Sequence, residues 1–199
     1  MCEIGLKGNR IMRKILIVVG SGVKGGNTDR LTDAFCQGAR DAGHHVDKVF
    51  LGEGDFHGCR GCGACQVSGK GCVIRDSMQE VYPLYEQADT VALASPLFFG
   101  TISSQLKSFI DRLYATGKDD KYEKKDMLLL MTAGDDSDFM FQWARHYYEF
   151  ICAVFGPDQG SYFAGGCEGK PGRHTIPRKH LEAVYQMGRE LSDHASACP

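Results

Sequence analysis

The sequence predicts a doubly wound α/β domain built on a five-stranded parallel sheet. Two features carry that prediction. Apolar runs alternate with segments of helical period five times along the chain. The runs themselves, such as Ile15-Leu16-Ile17-Val18-Val19 and Met127-Leu128-Leu129-Leu130-Met131, are nearly unbroken. That suits strands buried on both faces of a parallel sheet, where neither face needs polar residues. The 199 residues fit one domain with a core of two or three layers.

The elements follow in order. Arg13 to Val19 is the first strand. A helix from about Thr28 to Asp41 carries Leu31, Ala34, Phe35 and Gly38 at helical spacing, with Asn27 or Thr28 as its cap and Gly43 as its stop. His45 to Leu51 is a shorter, more polar strand, expected near an edge. Residues 52–76 form an irregular cysteine-rich loop. Ser77 to Gln87 is the second helix, with Ser77 as cap and Glu80 at the capping-box position. Asp89 to Ser95 is the third strand, followed by a loop and a helix from Ser104 to Tyr114, where Asp111-Arg112 reads as a surface or interface pair. The charged stretch Thr116 to Asp126 reads as a solvated loop. Met127 to Thr132 is the fourth strand. Ser137 or Asp138 caps a helix running to Phe155, Gln159 to Gly165 is the fifth strand, and Pro177 opens a last helix that ends near His194.

Composition narrows the class. Hydrophobic residues make up 43% of the chain and charged residues 24%, ordinary values for a globular protein. A net charge of -2 gives no general drive toward nucleic acid or an anionic membrane surface. No apolar run approaches the roughly 18 residues that span a bilayer. Met1 to Arg10 lacks the apolar core of a signal peptide, so residues 1–12 are expected to be an extension to a domain at 13–199. Nine cysteines without a secretory signal point to a reducing cytoplasm.

The stretch with the clearest chemistry is Gly20-Ser21-Gly22-Val23-Lys24-Gly25-Gly26-Asn27-Thr28, between the first strand and the first helix. Its glycines let backbone N–H groups turn inward, and the helix start adds partial positive charge. Ser21, Asn27 and Thr28 add donors, and Lys24 could add a charge. The loop is therefore expected to cradle an anion. It lacks the closing Gly-Lys-Ser/Thr of a P-loop. It matches Gly-x-Gly-x-x-Gly by letter, but the second strand ends Val49-Phe50-Leu51 without the acid expected to hold a ribose. In a doubly wound sheet the loops after strands one, three and four share an edge. The third carries Pro96-Leu97-Phe98-Phe99-Gly100, where adjacent aromatics suit a flat ring. The fourth carries Thr132-Ala133-Gly134-Asp135. A phosphate at one end and a planar ring at the other describe flavin mononucleotide.

At this point the chain resembles the flavodoxin-like NAD(P)H-dependent flavin reductases, including the iron–sulfur flavoproteins and quinone reductases. The resemblance rests on Gly20-Ser21 through Asn27-Thr28, on Cys59 through Cys72 leading into Asp76-Ser77-Met78, and on Ser95-Pro96-Leu97-Phe98-Phe99-Gly100. The last continues into Gln105-Leu106-Lys107-Ser108-Phe109-Ile110-Asp111-Arg112-Leu113. It implies a flavodoxin-like strand order, 2-1-3-4-5. It implies that Ser21, Gly22, Asn27 and Thr28 hold the FMN phosphate and that Pro96, Leu97, Phe98, Phe99 and Gly100 contact the ring or ribityl chain. Ala133, Gly134 and Asp135 would lie on the ring's other side. Two departures stand out. Val23 occupies a position that is usually arginine, so Lys24 would have to substitute. Phe98 lacks the phenol hydroxyl usual in the aromatic loop.

Cys59, Cys62, Cys65 and Cys72 place four thiols in a compact glycine-rich loop. An iron–sulfur cluster, a four-thiolate zinc site, or free thiols packing a loop all fit this spacing. The resemblance favours neither the cluster nor its absence outright, since such loops occur with and without one. It implies an FMN-dependent oxidoreductase taking electrons from NAD(P)H and passing them to a quinone, a free flavin, a metal complex or an iron–sulfur centre. The flavin would carry the chemistry, so no side-chain acid or base is assigned. An electron carrier working with a ferredoxin-like partner and a thiol-based redox or metal sensor are the alternatives. A homodimer or homotetramer is expected, because a neighbouring chain often covers the flavin in such folds.

Overall fold

The structure, a computed structural model, describes residues 12–119, 121–170 and 172–191. Apart from Met12, the expected N-terminal extension lies outside the described residues, as do Cys2, Cys198 and the expected helix end at His194.

Five strands form a parallel sheet in the order β2-β1-β3-β4-β5. They are β1 (Lys14–Val19), β2 (His45–Phe50), β3 (Thr90–Pro96), β4 (Asp126–Thr132) and β5 (Asp158–Ala164). This is the predicted order, with β2 at an edge. The chain leaves β1 for β2 and then returns past it to β3. Strand order therefore reverses between β1 and β3, and a crevice opens beyond their carboxyl ends.

Among the described residues, six helices connect or flank the strands: α1 (Asn27–Asp41), α2 (Ala64–Ser68), α3 (Met78–Gln87), α4 (Ser104–Arg112), α5 (Asp138–Phe155) and α6 (Arg178–Arg189). Alternation along the strands explains their unbroken apolar runs. Ile15, Ile17, Val19, Leu128 and Leu130 pack with Leu31, Phe35 and Val184, which come from α1 and α6. Leu16, Val18, Leu93, Leu129 and Met131 face the opposite layer, where Met78, Leu106, Phe109, Phe141 and Ile151 meet them from α3, α4 and α5. Burying each such side chain contributes roughly 1.5–3 kcal/mol relative to exposing it. On the first face α1 and α6 pack backbone to backbone. A β-carbon on Gly38 would stand 2.0 Å from the Tyr185 carbonyl oxygen, and one on Gly188 would stand 2.4 Å from that of Phe35.

Local differences from expectation have local causes. Gly26, not Asn27 or Thr28, is the N-cap of α1. The capping box at α3 does not form. The Ser77 hydroxyl accepts the Asp55 N–H at 3.0 Å, and the Asp76 carboxylate takes the Met78 N–H at 3.2 Å instead. The 52–76 loop contains the short helix α2. α4 ends at Arg112 and a 3-10 turn, Leu113–Ala115, completes it. Within the charged stretch Lys125 is buried, its ammonium donating to the Glu86 carbonyl at 2.9 Å. Beyond β5 comes an unanticipated antiparallel hairpin, β6 (Glu168–Lys170) with β7 (Arg173–Thr175).

Candidate functional site

The loops after β1, β3 and β4 meet at the crevice and line one cleft of about 470 Å³, a size suited to a cofactor or small ligand. Backbone bonds fix them to the sheet edge. The Gly20 N–H donates to the Ala94 carbonyl at 2.8 Å, the Leu97 N–H to Thr132 at 2.8 Å and the Ala133 N–H to Ala164 at 2.9 Å. Gly20 also lies against the start of α4, where an added β-carbon would come within 2.5 Å of Leu106 Cβ. The Ser103 hydroxyl caps α4 by accepting the Leu106 N–H at 3.2 Å, and donates to the Gly20 carbonyl at 2.5 Å. That clamp brings Gln105 to the cleft wall opposite Gly22.

One end of the cleft is rich in donors. Ser21 is buried, and its Oγ accepts the Val23 N–H at 3.2 Å, which leaves its own proton to donate elsewhere. The Thr28 and Thr132 hydroxyls share a hydrogen bond of 2.7 Å at the cleft wall. The first-turn N–H groups of α1, from Asn27, Thr28 and Asp29, have no acceptor within the helix. Asn27 donates its side-chain amide to the Glu168 carbonyl at 2.6 Å, while its buried Oδ1 has no partner among the described residues. Such an acceptor calls for a donor, and a ligand hydroxyl or amide is of the right kind. Asp29, sharing the Lys48 ammonium with Asp33, is buried beside this turn. Burial would raise its carboxyl, but the Lys48 ammonium at 2.6 Å and the Gly25 N–H at 2.7 Å hold it below the usual carboxylate range.

The other end is apolar, lined by Pro96, Leu97, Phe98, Ala133 and Gly134. Hydrogen bonds of 2.9 and 3.1 Å between the Phe98 and Thr101 backbones close a tight turn with Phe99 and Gly100 at its tip. Phe99 holds φ +48°, rare for an aromatic residue, and its side chain is fully exposed.

Of the residues singled out from the sequence, Ser21, Gly22, Asn27, Thr28, Pro96, Leu97, Phe98, Ala133 and Gly134 share the cleft. Four others do not line it. The Lys24 ammonium turns away to Glu53 at 3.1 Å and lies over the Phe50 ring at 4.7 Å, so the substitute phosphate charge is not delivered. Phe99 and Gly100 form the outer turn, with Gly100 beside Trp143. Asp135 is exposed, and the Ser137 N–H at 2.7 Å holds its carboxyl below the usual range.

Sequence reasoning missed Gln105, Cys167, Gly169 and His174, all in the cleft wall, which Thr132 of the fourth loop also lines. Gln105 flanks a segment already singled out, at a helix start. The last three belong to the hairpin region, whose short polar strands carry no sequence signal. Cys167 is buried and donates its thiol to the Ala164 carbonyl at 3.3 Å. Burial pushes it up to about 11, so it stays a thiol at neutral pH.

The cysteine loop lies at the far end of α4. Cys59, Cys62, Cys65 and Cys72 line one small cavity with Asp111, Arg112 and Tyr114. Among the described residues, no three Cys, His, Asp or Glu side chains converge closely enough to hold a metal ion. The donor set is soft and thiolate-forming, and the Gly61 N–H already contacts Cys59 Sγ at 3.4 Å. Arg112 is not a surface residue. It is fully buried and holds Asp76 in a bidentate pair at 2.7 and 3.1 Å, while donating to the His57 carbonyl at 2.9 Å. One side chain thus ties both ends of the cysteine loop to α4. Burial would raise Asp76, but Arg112 and the His57 N–H hold it below the usual carboxylate range.

Fold and cleft together define an α/β protein of flavodoxin type with a cofactor-sized cleft at the strand-order reversal. The profile of the NADPH-dependent FMN reductases matches residues 13–144, and the chain belongs to that family. It is 38% identical over 104 residues to an iron–sulfur flavoprotein of Archaeoglobus fulgidus, covering 52% of this chain and 47% of that one. It is 35% identical over 99 residues to one of Methanosarcina thermophila, covering 50% and 51%. The chain therefore spans about half the length of these relatives. Among solved structures it is similar to an NAD(P)H:quinone oxidoreductase from Methanothermobacter marburgensis, with TM-score 0.72 and 18% identity over 92% of this chain and 98% of that one. An FMN-dependent NADH-azoreductase from Bacillus anthracis in complex with FMN gives TM-score 0.60 and 16% identity over 90% and 97%. These two likenesses speak to the fold. No helix among the described residues is long and apolar enough to cross a membrane.

Proposed function

We propose that the chain is an FMN-dependent oxidoreductase that takes electrons from NAD(P)H and passes them to a quinone, flavin, metal or iron–sulfur acceptor. The observation that carries this reading is a single cleft with hydroxyl and amide donors at one end and apolar loops at the other, at the point of strand reversal. Ser21, Thr28 and the first-turn amides of α1 would hold the phosphate, Asn27 Oδ1 a ribityl hydroxyl, and Leu97, Phe98 and Ala133 the ring. Bound FMN would supply the redox chemistry, and the chain would position it and control access. The test is FMN stoichiometry of protein purified without air, followed by anaerobic addition of NADH or NADPH. One FMN per chain, bleached by either donor and re-oxidised with turnover by a quinone, is the expected result. A chain that binds no flavin would sink the proposal and favour the thiol-sensor reading.

The cysteine cavity supports a further element, an iron–sulfur cluster on Cys59, Cys62, Cys65 and Cys72. Four thiols already share one cavity, and an always-charged arginine borders it. Gln105 in the cleft wall and Asp111 in the cysteine cavity lie six residues apart on α4, about 9 Å along a helix axis. Iron and sulfide analysis after anaerobic reconstitution tests this, with Cys59→Ala as control. Zinc uptake, or iron retained equally by Cys59→Ala, would count against it.

The expected homo-oligomer has support in α5. Phe139, Trp143 and Phe150 stand on its exposed face, next to the cleft-side turn at Gly100. Exposed aromatics in such a row suit a covered surface, and a second copy of this chain is the proposed cover. Cytoplasmic residence belongs to the same proposal and is tested by fractionation.

A further inference from the structure

We infer that His174, on the hairpin beyond β5, supplies the positive charge that faces the phosphate of the bound mononucleotide. The inference rests on the FMN reading above. Among the described residues lining the cleft, His174 is the one side chain that can carry a positive charge. No lysine or arginine lines it, because Lys24 is turned onto Glu53 and Phe50. A phosphate carries between one and two negative charges near neutral pH. Hydroxyls and amides alone would leave that charge without a counterion in a partly enclosed cleft.

The hairpin is tied both to the loop after β4, where the Cys167 N–H donates to the Ala133 carbonyl at 2.8 Å, and to the first turn of α1. Asn27, the first residue of α1, donates to the Glu168 carbonyl at 2.6 Å. Arg30, on the first turn of the same helix, donates to the His174 carbonyl at 3.2 Å. β6 and β7 pair Gly169 with His174, so both reach the cleft from adjoining positions. A β-carbon on Gly169 would stand 4.0 Å from His174 Nδ1, in ordinary contact. The other charged groups nearby are Glu168, paired with Arg173 at 3.1 Å, Arg30, which donates to the His174 carbonyl, and Asp29, which shares Lys48 with Asp33. Cys167, the remaining titratable neighbour in the wall, stays a neutral thiol. An anion bound here would hold the proton on the imidazole, and the protonated ring would in turn hold the anion.

The test compares FMN with riboflavin, which lacks the phosphate, on apoprotein between pH 5.5 and 9. In the parent chain, the affinity advantage of FMN over riboflavin is expected to fall roughly tenfold or more as the imidazole deprotonates, the scale of one charge-assisted contact. His174→Gln should lose a similar factor for FMN at pH 6, keep only the pH dependence of the phosphate's own second ionisation, and leave riboflavin affinity unchanged. His174→Arg should bind FMN tightly at both ends of the range. On the unmutated chain, the NMR titration midpoint of His174 should rise with FMN and not with riboflavin, a readout that holds even if His174→Gln fails to fold. If the parent binds FMN while His174→Gln matches its affinity and pH profile, the assignment is wrong and the FMN reading stands. If the parent binds no FMN, both are wrong.

Discussion

Arg112 buries a full positive charge, and the structure meets every part of the guanidinium. Its Nε donates to the Tyr82 hydroxyl at 3.2 Å, Nη1 to Asp76 and the His57 carbonyl, and Nη2 to Asp76 and the Ile74 carbonyl. Desolvation is costly for such a pair, but leaving one member alone is costlier. Arg112→Ala is expected to destabilise the fold by about 3–5 kcal/mol, read in denaturant titration. It should also speed alkylation of Cys72, whose loop loses its staple. Arg112→Lys keeps the charge but not the fork, and should recover only part of the loss. Unchanged alkylation in Arg112→Ala would show that the loop holds itself. A charged pair near a helix end reads as surface, yet Arg112 stands three residues after the buried Phe109, at the edge of the apolar stripe.

At the scale of elements, the α1–α6 contact depends on two missing side chains. Alanine is favoured over glycine within a helix by about 1 kcal/mol. At Gly188 the sign should reverse, because a β-carbon would strike the Phe35 carbonyl at 2.4 Å. Gly188→Ala is expected to cost about 1–3 kcal/mol as an overpacking change, measured by thermal unfolding. A stabilised variant would mean that the helices separate freely. α5 presents the opposite case, with two apolar faces. Phe141, Ala144, Tyr148, Ile151 and Phe155 face the core, while Phe139, Trp143 and Phe150 are exposed. Trp143→Glu is expected to shift the proposed oligomer toward monomer in sedimentation velocity without lowering monomer stability by more than about 0.5 kcal/mol. An unchanged sedimentation profile would remove this face from the interface.

For the whole molecule, two buried groups shape the response to acid. His180 ties α6 to the exit of β5. Its Nδ1 lies 2.8 Å from the Tyr162 hydroxyl and its Nε2 lies 3.0 Å from the Gly165 carbonyl, so Nε2 carries the proton and the phenol donates to Nδ1. Burial holds it below the ordinary histidine value of 6.5. The unfolded chain then takes up a proton at a higher pH than the folded one, and stability falls as pH drops from 6.5 toward the folded value. Asp76 is held below 3.8, so its contribution is present above 3.8 and is lost as pH falls further. Melting temperature against pH should therefore decline in two stages. His180→Gln should remove the upper stage and leave the lower one.

The sequence by itself determined the parallel sheet and the meeting of three loops at one edge, and its family resemblance implied the strand order. Unbroken apolar runs can only be buried on both faces, and right-handed crossovers then place the loops after β1, β3 and β4 together. Ser21, Asn27, Thr28, Leu97, Phe98 and Ala133 were legible for that reason. Tertiary structure alone decided what depends on residues far apart in the chain. The bond from Asn27 to Glu168 spans 141 positions, and the pair of Arg112 with Asp76 spans 36. Neither leaves a local pattern. The same holds for Lys24, whose direction is set by Glu53 and Phe50 rather than by its own loop. It holds as well for His174, which reaches the cleft because α1 and the loop after β4 hold a hairpin whose short strands have no periodicity to read. Periodic burial is written along the chain, whereas the pairing of individual polar groups is settled only once the backbone has brought them into reach.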